Sequence, residues 1–565
     1  MGSLPETNID NFDPCKELPP NIVNRHAALY PDQIWAEAPK SADNYSDGYR
    51  KVSYRELANA VNGIALFLID SLGQGDGTNK LPYIGPNDIR YTILAIGALK
   101  AGSEQLSANC SEMFFPSARN SLTAHTILLA KLQCKVLLAS TPSPPIISDI
   151  AQATSLPVVT IPEVNELLTT EYASVPFSRT LAENGTDTFT VFHTSGSTGI
   201  PKSIKLPFAV GAAFMRMVQL HTPDGFHSLY RMIQEKRIFV TVLPFHAAYI
   251  FHVIFNVIPF GVVLIYPTSS SFASAQGMVN AIKQTQLDGV FTTPIVIEEL
   301  AQNPSLLNFC HKRLGIIFFG GGDLPQEIGD KIHAKIKLIN QFGATEIGLL
   351  PVLFSKSNRI LGDWKDMELD PGLGIEFRPI GQNQHELIVV RHPNRKKHQP
   401  TFAYFPHLQE YESRDLFVQH PDPNKKNMWK WHARKDDIIA FSTGERPIPS
   451  LWNKFRDNRD FSFIGAHRTR AALLIEMKND REEMSLAERS DFIEKIWPSI
   501  EEANKECPVQ ARIIRSHILL TSPEKPMLRA GKGTIQRAGT LQAYEEEIAK
   551  LYTEFDSGSG SLASY

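Results

Sequence analysis

Short apolar runs alternate with helix-length amphipathic segments along most of the chain, and this alternation restricts the fold more than any other feature. The runs CKVLLAS, LIYP, GVFTTP and LGIIFFGGG have strand length, whereas YRELANAVNGIALFLIDSL and YTILAIGALKAG carry apolar residues at helical spacing. Strands that are apolar throughout are typical of parallel sheets buried on both faces. The pattern therefore predicts an α/β protein whose parallel sheets are covered by helices.

A length of 565 residues and a change in segment length and charge near Asp436 predict more than one domain. Beyond that point the segments are shorter and more charged, as in AERSDFIEKIWPSIEEANK, and the final FDSGSGSLASY has the composition of a Gly/Ser linker. We predict a large N-terminal domain of helix-covered β-sheets over residues 1–436. A small, mobile α+β C-terminal domain is predicted over 437–550, followed by a Gly/Ser tail over 551–565.

Charge and cysteine usage exclude several classes of ligand. The formal net charge is −3, both signs are mixed, and no long basic block is present, so nucleic acid is not an expected partner. The five cysteines lack C-x-x-C spacing, which fits a reducing compartment and indicates neither a zinc site nor a disulfide framework. The first twenty residues contain no apolar segment of the secretory type, so we expect a cytoplasmic protein.

The most membrane-like run is YIFHVIFNVIPFGVVLIY, which His252, Asn256 and Pro259 interrupt. Its PFG sequence divides it into a helical part and a β-branched part. We interpret both parts as buried core, and no membrane contact is expected.

The segment TVFHTSGSTGIPKSIKL, residues 190–206, indicates a phosphate-binding loop. A Walker-type loop requires Gly directly before Lys, but Ile200 and Pro201 separate Gly199 from Lys202. The order of strand, Thr/Ser/Gly loop and lysine still offers backbone N–H groups, hydroxyls and a cation to one anion, although a bare Ser/Gly run could equally be a surface turn. The candidate phosphate-binding residues are Thr194, Ser195, Gly196, Ser197, Thr198, Gly199 and Lys202.

The order T-S-G-S-T-G-x-P-K resembles the phosphate loop of the adenylate-forming superfamily, which includes acyl-CoA ligases, luciferases and the adenylation domains of nonribosomal peptide synthetases. Four more segments are similar to motifs of that family and follow in its order: INQFGATEIGLL, YESRDLF, HARKDDIIAFSTGERPIP and LRAGKGTIQR. The resemblance extends over most of the chain. It implies activation of a small-molecule carboxylic acid as an acyl-adenylate, with ATP and Mg²⁺ as cofactors.

Within the first of these motifs, the resemblance places Phe342 against the adenine, Thr345 near the phosphates and Glu346 on the metal. One carboxylate suffices for magnesium beside a bound triphosphate, because phosphate oxygens and water complete its coordination. The full set of nucleotide-binding residues implied by this motif and the strand before it is Gly321, Asn340, Gln341, Phe342, Gly343 and Thr345.

The later motifs resemble those that complete the site from the second half of the chain. Asp415 would accept the ribose hydroxyls, which suits an ionised acceptor, and Arg434 would contact the nucleotide. Asp436 would be the pivot of the hinge. Lys532, which lies between glycines, would be the catalytic cation.

Three segments look more like the adenylation domains of fungal carboxylic acid reductases and related synthetase-like proteins than like plain CoA ligases: YIGPNDIRYTILAIGALKAG, PSARNSLTAHTILLAKLQCKVLL and AGKGTIQR. In those relatives a carrier domain and a reductase domain follow, and neither is predicted here. We therefore expect no phosphopantetheine attachment on this chain and a thiol acceptor in trans, either a carrier protein or CoA, within secondary metabolism. An acyl-CoA ligase and a non-catalytic nucleotide-binding remnant stay open as alternatives.

The segment LPFHAAYIFHVIF bears on the substrate. Amino-acid-activating relatives carry an aspartate directly after the phenylalanine to pair the substrate ammonium, and His246 takes that place here. An aryl or other non-amino acid is therefore favoured, in a pocket formed by Phe245, His246, Gly320 and Gly321. His246 is a candidate catalytic residue, with a packed helix-start histidine as the alternative. Departures from the family pattern at 103–115 and 450–476 leave catalytic competence open.

Overall fold

We determined the fold from a computed structural model of the chain. The structure describes residues 12–72, 80–102, 112–118, 120–194, 202–269, 274–355, 363–381, 383–435, 459–464, 471–477, 485–505, 512–529 and 535–556.

The strands are numbered in chain order. They are β1 (Ile34–Pro39), β2 (Tyr49–Ser53), β3 (Lys80–Ile84), β4 (Glu112–Phe114), β5 (Leu137–Ala139), β6 (Val158–Thr160), β7 (Thr188–Thr194), β8 (Lys202–Pro207), β9 (Phe226–Ser228), β10 (Arg237–Val240), β11 (Val263–Ile265), β12 (Gly289–Thr292), β13 (Ile316–Phe319), β14 (Lys337–Asn340), β15 (Gly343–Ala344), β16 (Gly348–Leu349), β17 (Val352–Ser355), β18 (Met367–Leu369), β19 (Ile375–Gly381), β20 (Gln384–Val390), β21 (Glu410–Gln419), β22 (Met428–Arg434), β23 (Arg459–Ile464), β24 (Ala472–Met477) and β25 (Ile518–Leu520).

The α-helices are numbered in the same way. They are α1 (Pro19–Leu29), α2 (Tyr54–Leu72), α3 (Arg90–Ala101), α4 (Leu122–Lys131), α5 (Ile146–Thr154), α6 (Val164–Thr169), α7 (Leu181–Asn184), α8 (Phe208–Val218), α9 (Leu229–Ile233), α10 (Ala247–His252), α11 (Ala275–Gln284), α12 (Pro294–Gln302), α13 (Pro304–His311), α14 (Gln326–His333), α15 (Thr401–Tyr404), α16 (Leu486–Lys505), α17 (Arg537–Ala543) and α18 (Glu545–Asp556). A π-helix, Val253–Val257, continues α10.

Two sheets are parallel except at one edge strand each. The first, in the order β14-β13-β12-β10-β11-β1-β2, is parallel up to the antiparallel β2 and is called the large parallel sheet below. The second, in the order β6-β5-β3-β4-β7-β8, is parallel up to the antiparallel β8. These sheets confirm the predicted α/β class. Strands such as β12 and β13 are buried along their whole length, which explains why their sequences are apolar throughout.

A third sheet is antiparallel throughout and was not predicted. Its order is β19-β20-β21-β22-β18-β17-β9, and it combines strands from distant parts of the sequence. One large apolar core includes residues of all three sheets, for example Phe291, Phe189 and Phe417. Residues of the antiparallel sheet therefore share one apolar core with residues of both parallel sheets.

The C-terminal part has cores of its own. The three-stranded sheet β23-β24-β25 packs one face with residues of α16, including Ile496 and Ile500, and the other with residues of α18. Helix α18 ends at Asp556, beyond the residue 550 boundary that composition predicts for the start of a Gly/Ser tail.

The interrupted apolar run at 249–266 is buried, as interpreted from the sequence. It forms α10, the π-helix and β11, and His252 and Asn256 are fully buried within it. In the part of the chain that the structure describes, no helix has the length and apolar character needed to cross a membrane.

Candidate nucleotide and carboxylate site

The carboxyl ends of β10, β12, β13 and β14 meet at one edge of the large parallel sheet. The Gly320 N–H donates to the Thr292 carbonyl at 3.3 Å, and the Gln341 N–H donates to the Phe319 carbonyl at 2.8 Å. The Thr241 hydroxyl donates to the Thr292 hydroxyl at 2.8 Å. Ligands of open α/β sheets bind at the carboxyl ends of parallel strands, so this edge is the expected location of a site.

Gly320 and Gly321 shape the edge just after β13. A Cβ at Gly320 would lie 2.7 Å from the Gln341 carbonyl oxygen, so the two backbone segments approach too closely for any side chain. Gly321 has φ of +83°, a left-handed conformation that favours glycine, and a Cβ at this residue would meet no heavy atom of the described residues within 4 Å, its chain neighbours aside. The segment predicted to line the substrate pocket thus borders open space.

The strand and turn that carry the adenine motif follow directly. Asn340 Nδ2 donates to the Lys365 carbonyl at 3.2 Å, and Gln341 Nε2 donates to the Tyr230 hydroxyl at 2.5 Å. The Phe342 ring meets the Phe417 ring edge to face, with centroids 5.1 Å apart. This contact links the motif to the antiparallel sheet, which places Phe342 at the junction of the two sheets.

Thr345 and Glu346 occupy the turn of the small β15–β16 hairpin. A Cβ at Gly343 would lie 2.6 Å from the Gly348 carbonyl oxygen, and Gly348 has φ of +76°, so both glycines are needed for this tight turn. Both Thr345 and Glu346 are half-buried, and the Glu346 carboxylate makes no hydrogen bond or ion pair with the residues that the structure describes. An unpaired carboxylate of this kind fits a magnesium ligand.

The negative charge of Glu346 raises the pKa values of two tyrosines, Tyr404 and Tyr411. Burial is the main cause that raises the pKa of Tyr404 well above its ordinary value, and Glu346 adds to it. The pKa of Tyr411 is also raised, by burial first and Glu346 second, while nearby Arg434 lowers it. Tyr411 therefore lies within electrostatic reach of both the hairpin and Arg434.

Asp415 is buried and held by two donors. Asp415 on β21 and Arg434 on β22 are register partners. Trp431 Nε1 donates to Asp415 Oδ1 at 3.0 Å, and an Arg434 terminal nitrogen donates to Asp415 Oδ2 at 3.3 Å. The Asp415 side chain is 5% exposed whereas that of Arg434 is 42% exposed, so the pair presents a fixed carboxylate and an accessible cation. Trp431 was not predicted, because no sequence motif marks it.

His246 lies immediately before α10, at its N-cap position. Its backbone N–H donates to the Leu243 carbonyl at 3.1 Å, and its ring lies 4.6 Å from the ring of buried Phe245. The structure thus shows a histidine at a helix start, and its contact with a substrate stays a prediction.

The phosphate loop is described only at its two ends. Thr194 is the last residue of β7 and pairs with Lys202, the first residue of β8. Lys202 is exposed. The other predicted loop residues, 195–199, lie outside the described residues, as do Asp436 and Lys532.

Asp363, Asp366 and His420 form a separate cluster, with one potential ligand atom from each lying within 4.8 Å of the others. His420 Nδ1 accepts from the Asp422 N–H at 3.1 Å, so the neutral ring carries its proton on Nε2, which lies 3.4 Å from Asp363. Lys425 also pairs with Asp363 at 2.5 Å. A protonated Nε2 and an ammonium do not fit a metal centre, and we interpret the cluster as a structural ion-pair group.

Comparison with known proteins agrees with this geometry. The family of AMP-binding enzymes matches residues 24–371, and the C-terminal domain of AMP-binding enzymes matches residues 436–556. The first match alone covers well over half of the chain. The chain therefore belongs to the AMP-binding, adenylate-forming enzyme family.

Fungal reductases are among its relatives. The chain is 28% identical to a carboxylic acid reductase of Neurospora crassa over 95% of this chain and 51% of the relative. It is 26% identical to the adenylate-forming reductase Nps9 of Serpula lacrymans over 91% of this chain and 48% of the relative. The chain thus spans about half the length of these curated relatives.

Solved structures show the same fold at low identity. The O-succinylbenzoate coenzyme A synthetase MenE of Bacillus subtilis, in complex with ATP and magnesium, superposes with a TM-score of 0.64 at 14% identity, covering 92% of this chain and 99% of that one. The anthranilate CoA ligase AuaEII, in complex with anthranoyl-AMP, superposes with a TM-score of 0.65 at 14% identity. This superposition covers 95% of this chain and 99% of the ligase chain. Similarity at this level establishes the fold alone.

Proposed function

We propose that this chain activates an aryl or other non-amino carboxylic acid with ATP, forming an acyl-adenylate and pyrophosphate, and then passes the acyl group to a thiol on another molecule. The observation that carries the proposal is the buried Asp415 carboxylate, which accepts hydrogen bonds from Trp431 and Arg434. A fixed ionised acceptor suits a pair of ribose hydroxyls. Its position in the motif order supports a nucleotide as the ligand.

In the first half-reaction, one carboxylate oxygen attacks the α-phosphorus of ATP and the bond to the pyrophosphate oxygen breaks. Glu346 would hold Mg²⁺, which when bound neutralises charge on the phosphates. Thr194, Lys202 and the loop between them would bind the phosphates, and Lys532 would stabilise the charge that develops at the α-phosphate. Catalysis of this kind depends on positioning and electrostatic stabilisation, with no covalent bond to the protein.

In the second half-reaction, the acceptor thiol attacks the acyl carbon and AMP leaves. We propose that the small domain, which begins near residue 437, rotates about Asp436 between the two steps, because one lysine-bearing face cannot serve both. The acceptor is a carrier protein or CoA in trans. Relatives named as reductases support a carrier, whereas CoA as the acceptor would make the chain an acyl-CoA ligase.

The role of Lys532 gives the first test. Lys532→Ala should lower acid-dependent pyrophosphate release by about 100-fold or more, because one charged contact to the transition state is lost, while ATP affinity changes little. Lys495→Ala, at an exposed position of α16, is the matched control. An equal loss of ATP binding in the Lys532 variant would contradict a transition-state role, and ATP binding without acid-dependent release in the parent would favour the non-catalytic remnant.

A further inference from the structure

Two fully buried polar side chains lie next to each other where α10 passes into the π-helix. His252 and Asn256 are both 0% exposed, and Asn256 Nδ2 lies 3.5 Å from His252 Nδ1. The other polar atoms of the pair, His252 Nε2 and Asn256 Oδ1, are buried and have no hydrogen-bond partner among the residues that the structure describes. Unpaired buried polar atoms cost free energy, so their presence in an otherwise apolar segment requires a reason.

The pair offers one hydrogen-bond donor and one acceptor. Because the Asn256 amide donates to Nδ1, the neutral ring carries its proton on Nε2, which leaves that N–H and Asn256 Oδ1 unused. If the amide of Asn256 is turned over, Nδ1–H donates instead, and Nε2 is left as an acceptor beside an unused amide donor. Either assignment leaves one donor and one acceptor, which is the complement of a hydroxyl group.

Burial lowers the pKa of His252 to about 3, so the ring is neutral near pH 7. A neutral imidazole beside a neutral amide does not compensate a buried negative charge. The pair is therefore suited to an uncharged polar group and not to the reacting carboxylate.

Aromatic contacts connect the pair to the candidate site. The His252 ring lies 4.9 Å from Phe291 and 5.8 Å from Phe318, and these two phenylalanine rings stack on each other at 5.0 Å. Phe291 and Phe318 are the penultimate residues of β12 and β13, just before Thr292 and the Gly320 segment. The His252 ring thus packs against residues at the carboxyl ends of β12 and β13, the edge of the large parallel sheet where Gly320 follows β13.

The backbone is unusual at the same place. The π-helix Val253–Val257 begins directly after His252 and contains Asn256. π-Helices are rare and frequently mark functional sites. Both the backbone and the unpaired side-chain atoms therefore single out this segment.

From these observations we propose that His252 and Asn256 bind a hydroxyl group on the part of the acid remote from its carboxylate. The substrate class would be hydroxylated carboxylic acids with an aromatic body, since the Phe291–Phe318 pair provides an aromatic surface beside the two polar groups. This inference rests on the proposed function and narrows it.

Matched pairs of acids test the inference in the intact chain. Acid-dependent exchange of pyrophosphate into ATP is measured with benzoate against its 3- and 4-hydroxy derivatives, and with cinnamate against 4-hydroxycinnamate. The hydroxylated member of a pair should have a kcat/KM about 10-fold or more higher, because the acid that lacks the hydroxyl leaves buried polar groups unpaired.

Variants then locate the origin of the preference. Combining His252→Leu with Asn256→Leu should bring the ratio of kcat/KM values close to one, whereas His252→Gln, which keeps a donor and an acceptor, should retain part of it. The control is His125→Leu on α4, because His125 is also fully buried and neither of its ring nitrogens has a hydrogen-bond partner in the described ranges. It should leave the ratio unchanged.

The outcomes separate the two proposals. Exchange without any preference for the hydroxylated acids, or a preference that survives in the double variant, would overturn the proposed role of the pair. Such a result would indicate that the two side chains bind a buried water molecule or no ligand at all. No exchange with any acid would overturn the proposed function itself. The ratio measured in the parent needs no variant to fold, so a ratio close to one there overturns the inference even if the double variant is unstable.

Discussion

Two buried polar groups of this protein differ in how completely they are paired. Asp415 in the antiparallel sheet receives hydrogen bonds on both carboxylate oxygens, one from Trp431 and one from Arg434. His252 and Asn256, beside Phe291 and Phe318 of the large parallel sheet, contact each other, and one nitrogen and one oxygen of the pair have no partner within the described part of the chain.

The difference separates two ways of preparing a site. A carboxylate that is already fixed loses little freedom when it binds a ligand, which favours an invariant part of the substrate such as a nucleotide ribose. An unpaired neutral donor and acceptor instead impose a penalty that only a matching ligand removes, which favours selectivity among acids. We therefore expect changes at the first group to affect every substrate and changes at the second to affect the choice of acid.

Among the changes that test this comparison, the largest effect is expected from Asp415→Asn, which keeps the shape of the side chain and removes its charge. Hydrogen bonds to a charged group contribute about 1.5–3 kcal/mol, so the KM for ATP should rise by roughly 10- to 100-fold with every acid tested. Glu412→Gln, an exposed acid on the same strand, is the control and should leave the KM for ATP unchanged. A change in the KM for ATP with only one of the acids would indicate that Asp415 acts on the acid. It would contradict the distinction drawn between Asp415 and the His252–Asn256 pair.

The next effect concerns stability in acid. Because burial lowers the pKa of His252 to about 3, from an ordinary value near 6.5, the unfolded chain binds more protons than the folded chain between these two values. The free energy of unfolding should therefore fall as pH drops through this window, by about 1.4 kcal/mol per pH unit from this group. His252→Leu should show a shallower fall than the parent in urea titrations at pH 7, 6 and 5, and parallel curves would contradict a neutral buried His252.

Glu346→Gln tests whether an unpaired carboxylate near the proposed nucleotide site serves magnesium. Its carboxylate is unpaired like the His252–Asn256 group but is charged, so we expect it to serve magnesium rather than the acid. The magnesium concentration for half-maximal exchange should rise about 10-fold, because the variant loses a hard anionic ligand. Glu327→Gln, exposed on α14, is the control, and superimposable magnesium titrations of parent and Glu346 variant would remove this role.

The smallest effect is expected from Trp431→Phe, which removes one neutral donor to Asp415. A neutral hydrogen bond contributes a net free energy of about 0.5–1.5 kcal/mol, so its loss should raise the KM for ATP by roughly 2- to 10-fold. Trp429→Phe changes a tryptophan that stacks on Phe377 and should have no comparable effect. Equal effects of the two variants would mean that aromatic packing, and not the hydrogen bond, holds Asp415.

The sequence predicts much of the parallel part of this molecule, because buried strands such as β12 and β13 are local apolar runs that end close to Gly or Pro. The runs GVFTTP and LGIIFFGGG become β12 and β13, and PFG separates the π-helix from β11 as predicted. His252 and Asn256 also left a signal, since they are the polar residues that interrupt the most membrane-like run. Their contact with each other follows from helical spacing, but their lack of partners could be seen only in three dimensions.

The antiparallel sheet was not predicted, because its pairings join strands far apart in sequence, such as β9 and β17. The bond from Trp431 to Asp415 depends on the register of β21 and β22, which shifts between Leu416 and Phe417. No local pattern encodes such a shift. Motif resemblance therefore identified Asp415 as a candidate, and only the structure identified what holds it.

The most direct test of the central claim follows an oxygen atom. A carboxylic acid that supports exchange is labelled with heavy oxygen in its carboxylate and incubated with the chain, ATP, magnesium and a thiol, and the nucleotide product is analysed by mass spectrometry. If the carboxylate attacks the α-phosphorus and the thiol then attacks the acyl carbon, the product is AMP that carries one heavy oxygen atom. Formation of ADP, or of AMP without the label, would contradict acyl-adenylate formation by this protein.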